Sequence, residues 1–335
     1  MSKSTFPTDL SKCFIVAEAE INHNGCFKTA LKMIDTAKKV GADAVKFQYI
    51  MADEIATKDS VYYDIFKKVE FSDARYRELI DYGKDNGIEC FLTAPSLKTV
   101  YNLANWKPKF IKIGSTNITN IPLLEAVGQI GIPVILSTGL ANIGEIEMAL
   151  EAIGSVPTCL LHCTVQYPAK MSDLNLRAIE TMRSVFPGNV IGYSDHSEGE
   201  YASLVAVVLG AKVIEKHFTL DRLQNGPDHA FSTDPEGFKQ LVLAIRNVES
   251  CLGNGIKRPS KTEMLMLKNA RRYLVASNHI KKGEIFSIKN LDCRRIQYAS
   301  GVIEPCFLKL LNGWKAPKDY KAGSQLNWND LKQGM

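Results

Sequence analysis

Long apolar runs are missing from this chain of 335 residues. The most continuous one, ASLVAVVLGAKVI (202–214), is broken by a glycine and a lysine. It falls short of the ~20 residues that a membrane-spanning helix needs. The N-terminal MSKSTFPTDLSK is polar and lacks the apolar core of a secretion signal. An excess of one charge is also lacking: 41 Lys+Arg face 36 Asp+Glu, and no basic block stands out. The resulting net charge of +5 gives no reason to expect a nucleic-acid partner. Cysteine occurs eight times, at 13, 26, 90, 159, 163, 251, 293 and 306, but without the spacing of a disulfide framework. Several cysteines sit inside apolar segments such as CLLHC, which suits buried reduced thiols. These absences predict a soluble cytoplasmic protein with no membrane partner.

What is present is a regular alternation of strand-like and helix-like segments. CFIVAE (13–18) precedes the amphipathic TALKMIDTAKKV (29–40), and DAVKFQ (43–48) precedes ARYRELIDYGKDNG (74–87). ECFLTA, KFIKIG, PVILSTG and TCLLHCT then each lead into a helical pattern. NVIGYSDH (189–196) and AKVIEKHF (211–218) follow, and PEGFKQLVLAIRNVESCLG (235–253) is the last helix. Eight such pairs are the count of a closed α/β (β/α)8 TIM barrel. A doubly wound open sheet is the alternative, but AEAEINHNG after the first strand is not the G-x-G-x-x-G turn that would accompany it. The pattern predicts a barrel domain over 1–253. A basic linker follows over 254–273, and a small, mostly β module covers 274–335.

In such a barrel the polar residues at strand ends converge on one face. His196 and His217 close two successive strands, so they read either as two ligands of a metal ion or as satisfied polar groups at strand ends. Lys46 and Lys112 lie in mid-strand, where an ammonium is costly unless paired. They ask for an anion in the barrel mouth; the alternative is an internal ion pair with Glu18 or Glu215. Strand alternation puts Lys46 with Gln48 and Glu215 with His217, and turns Lys216 the other way. The hydroxyls of Ser115 and Ser137 stand where they could complete a phosphate cradle.

AEAEINHNG, GADAVKFQ, KIGSTNITNIPLLE, VILSTG, LLHCTVQYP, IGYSDHSEG, VIEKHFTLD and GPDHAFS resemble, in order, the motifs of the sialic acid synthase family. The tail from Leu274 to Leu331 resembles its C-terminal antifreeze-like (SAF) domain. The resemblance implies an enzyme that condenses phosphoenolpyruvate with an N-acetylated amino-sugar aldehyde, giving a nine-carbon keto-sugar acid and phosphate. It implies that His196 and His217 hold a divalent ion, manganese or magnesium. Lys46, Lys112, Ser115 and Ser137 would neutralise the donor, and Glu18 would act as a base or orient a water. Gln48, Tyr167, Ser194, Glu215 and Asp228 match pocket positions, with Asp228 toward the sugar hydroxyls. Arg295 matches an arginine that caps the site of the partner subunit in a domain-swapped homodimer.

The chain also departs from the family pattern. Asn117 replaces an acidic residue that contacts the sugar, Ala94 a hydroxyl residue, Ser96 an aromatic one and Val165 an amide. Glu20 replaces a glycine in the first loop. The departures predict an altered acceptor sugar; a family member that binds sugar without turnover is the alternative. A synthase acting on a different aldose is a second rival. A Schiff-base aldolase would need a reactive lysine, commonly on the sixth strand, and TCLLHCT has none.

Overall fold

The structure is a computed structural model that describes residues 10–332 and divides into two compact units, with the division at Gly253/Asn254. In the first unit β1 (Phe14–Glu20), α1 (Phe27–Lys39) and β2 (Ala44–Phe47) open the chain. Two short helices, α2 (Ala52–Ile55) and α3 (Tyr63–Val69), lengthen the connection to α4 (Asp73–Asp85). Then come β3 (Glu89–Thr93), α5 (Leu97–Trp106), β4 (Ile111–Ile113), α6 (Ile121–Ile130), β5 (Val134–Ser137) and α7 (Ile143–Ile153). The unit ends with β6 (Thr158–Cys163), α8 (Ala178–Val185), β7 (Val190–Asp195), α9 (Tyr201–Val208), β8 (Val213–His217) and α10 (Pro235–Leu252). All eight strands are parallel, and β8 pairs with β1 to close the barrel.

The period of two along each strand sorts the side chains into layers. On β1, Ile15, Ala17 and Ala19 pack outward into the core shared with the helices. Phe14 and Val16 point inward and join Ala44, Phe91, Phe110, Ile135, Leu161 and Val213 in an apolar floor inside the barrel. One step further along the strands the interior becomes charged. Glu18 is in register with Lys46 on β2 and with His217 on β8, and Ser194 is in register with Glu215. The floor excludes water from below and leaves the charged rung facing the C-terminal mouth, where barrel sites are built.

β1 continues two residues beyond the expected 13–18, with a register shift between Glu18 and Glu20. Bulges of this kind re-aim side chains next to functional sites. Helices stop where the backbone turns left-handed: Gly131 follows α6 at φ 71°, a conformation that costs glycine nothing.

The second unit begins with α11 (Lys261–Ala270), so the expected connector contains a helix. Ser260 caps it: its hydroxyl accepts from the Glu263 N–H, and Glu263 accepts from the Ser260 N–H. β9 (Tyr273–Ala276) and β10 (Leu291–Arg294) form an antiparallel ladder, followed by α12 (Leu308–Leu311) and α13 (Trp328–Lys332). Leu274, Ile280, Phe286, Ile303, Tyr320 and Leu326 give this unit a core of its own.

Candidate active site

Each mid-strand lysine has a carboxylate beside it. Lys46 Nζ pairs with Glu18, its register neighbour, and Lys112 Nζ pairs with Glu215 across the barrel. The internal ion pair weighed against a bound anion is therefore present twice, because strand register and barrel width bring the partners together. All four side chains are buried. Burial pushes Lys46 down to about 7. Burial also works against the Glu215 carboxylate, yet the Lys112 and Lys46 ammoniums outweigh it and hold the group at about 2. Ser194 donates to the same Glu215 oxygen at 2.9 Å, whereas Glu215 Oε2 is buried without a partner.

The hydroxyls expected around the donor lie on β5 and after β4. Ser137 is buried and its Oγ has no partner. Ser115 Oγ accepts from the Gly139 N–H at 3.1 Å. Gly139 has to be a glycine, since a Cβ there would come within 2.5 Å of Val165 Cγ2 and 2.8 Å of Ser115 Oγ. Asn117 is half-buried and accepts from the Asn120 amide at 3.1 Å.

On the opposite side of the mouth the two histidine rings stand 5.2 Å apart, edge to face. Tyr167 covers them, 4.2 Å from His196 and 5.6 Å from His217, and Phe231 lies 5.1 Å from His217. Burial lowers both imidazoles, His196 to about 4 and His217 well below its usual value, so both are neutral at pH 7. His196 Nδ1 lies 2.8 Å from the Thr164 carbonyl oxygen. A carbonyl can only accept, so Nδ1 carries the proton and Nε2 keeps its lone pair. His217 Nδ1 is buried and has no hydrogen-bond partner. A neutral ring with a free nitrogen is what a metal ligand requires, so the pair fits a divalent ion.

One ligand atom each of Glu20, His217 and Asp228 lies within 4.8 Å of the others, so two carboxylates join His217 in one group of donors. Gln48 donates its amide to Glu20. Burial, then the neighbouring Asp228, raises the Glu20 carboxyl, and burial raises that of Asp228. Alternation along β1 does not carry through to Glu20, because the register shifts after Glu18 and the backbone at 20 is left-handed; its one signal in the sequence is that it replaces a glycine of the family pattern. Behind the histidines, Lys216 donates to Asp195 at 2.9 Å, and Ser203 on α9 donates to the same oxygen at 2.6 Å. Arg295 belongs to the second unit, beside Ile296, Gln297 and Tyr298 on a concave surface.

A closed eight-stranded barrel with a charged C-terminal mouth, followed by a small β unit, defines a barrel enzyme with an appended module. Residues 33–257 match the NeuB family, residues 271–332 match the SAF domain, and the chain belongs to the NeuB family of sialic acid synthases. N,N'-diacetyllegionaminic acid synthase of Campylobacter jejuni is 40% identical over 93% of this chain and 98% of its own length. The enzyme of that name from Legionella pneumophila is 35% identical over 96% and 95%. A crystal structure of N-acetylneuraminic acid synthetase from Leptospira borgpetersenii is 36% identical, with a TM-score of 0.73, covering 77% of this chain and 92% of that one. No helix among the described residues is long and apolar enough to cross a membrane.

Proposed function

We propose that this protein joins phosphoenolpyruvate to an N-acetylated amino-sugar aldehyde and releases phosphate and a sialic-acid-like nonulosonic acid. The observation that carries the reading is the composition of the barrel mouth. Two buried lysines and two serine hydroxyls face a pair of neutral, ring-covered histidines. Lys46, Lys112, Ser115 and Ser137 take the donor's carboxylate and phosphate, so that entry of the anion exchanges one counter-charge for another. C3 of the donor forms the new bond to the aldehyde carbon. Water adds at C2, and phosphate departs by cleavage of its C–O bond. A divalent ion held by His196 and His217, manganese before magnesium, supplies Lewis-acid polarisation of the aldehyde when bound. Glu18 orients the attacking water or takes its proton, while Glu215 and Ser194 hold Lys112 in place. Tyr167 walls the histidines, and Gln48, Asn117 and Asp228 face the sugar.

Asn117 cannot supply a carboxylate, and the two legionaminic acid synthases are among the chain's relatives. The lost carboxylate and these relatives together support a 2,4-diacetamido sugar, rather than N-acetylmannosamine, as the acceptor of this protein. Residues 1–253 form the synthase domain, 254–273 the linker and 274–335 the SAF domain, whose Arg295 caps the partner's site in a cytoplasmic homodimer. The test is phosphate release from phosphoenolpyruvate with a panel of aldoses, with manganese and with EDTA. Metal-dependent release, fastest with a 2,4-diacetamido aldehyde, is expected. Release with N-acetylmannosamine as the best acceptor would overturn the sugar assignment, and no release with any aldose would overturn the activity.

A further inference from the structure

Glu20 occupies a backbone position that suits glycine. Its φ is +42°, at the register shift that ends β1. An L side chain in this left-handed region is strained. The side chain held there is a carboxylate, mostly covered and turned into the barrel mouth rather than to solvent. Gln48 donates to it, and among the described residues no lysine or arginine forms an ion pair with it. Asp228 brings a second carboxylate into the same cluster, and His217 Nδ1 stands 3.3 Å from Glu20 Oε2. The nearest ammoniums are already paired, Lys46 with Glu18 and Lys112 with Glu215. Two carboxylates and a buried imidazole nitrogen without a hydrogen-bond partner make a donor set suited to a divalent cation.

We propose that Glu20 is a ligand of the divalent ion, closing an O,O,N site with Asp228 and His217 that the histidine pair alone does not provide. The proposal refines the ion site of the preceding reading and rests on it for the ion's presence in the mouth. Carboxylate oxygens favour hard ions, whereas imidazole is at home with zinc. A second anionic ligand therefore steers the site toward manganese and magnesium. It also lets the ion bind before either substrate supplies oxygen donors. Left-handed backbone at residue 20 aims the carboxylate inward, which accounts for strain being kept at this position.

The experiment is a titration of the metal-stripped, full-length protein with Mn2+ alone, following free ion by electron paramagnetic resonance. Wild type is expected to bind one ion per chain. Glu20→Gln keeps the shape of the side chain and Glu20→Gly relieves the backbone. Both should bind about tenfold more weakly or worse. Metal-free Glu20→Gly should melt no lower than wild type, so that weak binding is not the loss of the fold. Affinities within twofold of wild type in both variants would overturn the proposal, as would wild type binding no Mn2+ without substrate. Because no substrate is present, these outcomes are independent of phosphate release. Glu20-dependent binding in a protein that releases no phosphate would leave this site standing and remove the proposed activity instead.

Discussion

A charge inside a barrel has to find a counter-charge, and Lys46 and Lys112 find theirs within the protein. Such pairs return little net stability, because desolvation offsets most of their attraction. In the proposed reaction their value would lie in holding ammoniums in place for an incoming anion. A ligand that binds only the folded state stabilises it by mass action, by about 2.7 kcal/mol at a hundredfold excess over Kd. The melting temperature of wild type should therefore rise by several degrees with phosphoenolpyruvate. In Lys112→Met the rise should shrink to a small fraction. Differential scanning fluorimetry with and without the donor reads the difference, and equal shifts would leave Lys112 a structural residue. The sequence alone revealed both lysines, since a mid-strand ammonium is conspicuous. It left open which carboxylate each would meet, because that depends on barrel register. Glu20 was legible only as a departure from the family pattern: nothing in a one-dimensional string announces a left-handed glutamate.

The ends of β7 and β8 show how an element holds a site it does not enter. Asp195 and Lys216 precede His196 and His217, and alternation turns them outward as the histidines turn in. There Lys216 donates to Asp195 and to the Ser197 carbonyl, while Ser203 fastens the same carboxylate to α9. Lys216 and Asp195 are almost completely buried, so neither can be relieved by water. Lys216→Met should cost about 3–5 kcal/mol, the penalty of a buried carboxylate left without its ion pair. Adding Asp195→Asn should recover most of it. Urea denaturation of the two variants tests this, and a single variant costing under ~1 kcal/mol would make the pair incidental. Strand and helix order was legible because the barrel strands are short, mostly apolar runs and the long barrel helices carry an apolar stripe. The helix at Lys261–Ala270 was not: its side chains are largely exposed, so it carries no apolar stripe, and its signal is the capping box at Ser260.

For the molecule as a whole, the question is whether one chain suffices for one site. Arg295 lies in a unit with its own core, joined to the barrel through a segment that includes the ten-residue α11. That segment spans on the order of 15 Å as helix and up to about 30 Å more where extended, enough to reach a neighbouring barrel. A guanidinium supplied from a second chain would pair bidentately with an acyl or carboxylate group and help keep water from the reacting centre. Activity would then depend on dimer formation. Arg295→Ala and His217→Ala should each be inactive alone. Refolded together, they should form mixed dimers in which the barrel of the first chain and the tail of the second would assemble one intact site. Random pairing makes half of all dimers mixed, with one working site in two, so activity should return to about a quarter of wild type. Dilution that dissociates the dimers should abolish it again. A mixture that forms dimers, yet stays as inactive as either parent, would place Arg295 over the site of its own chain.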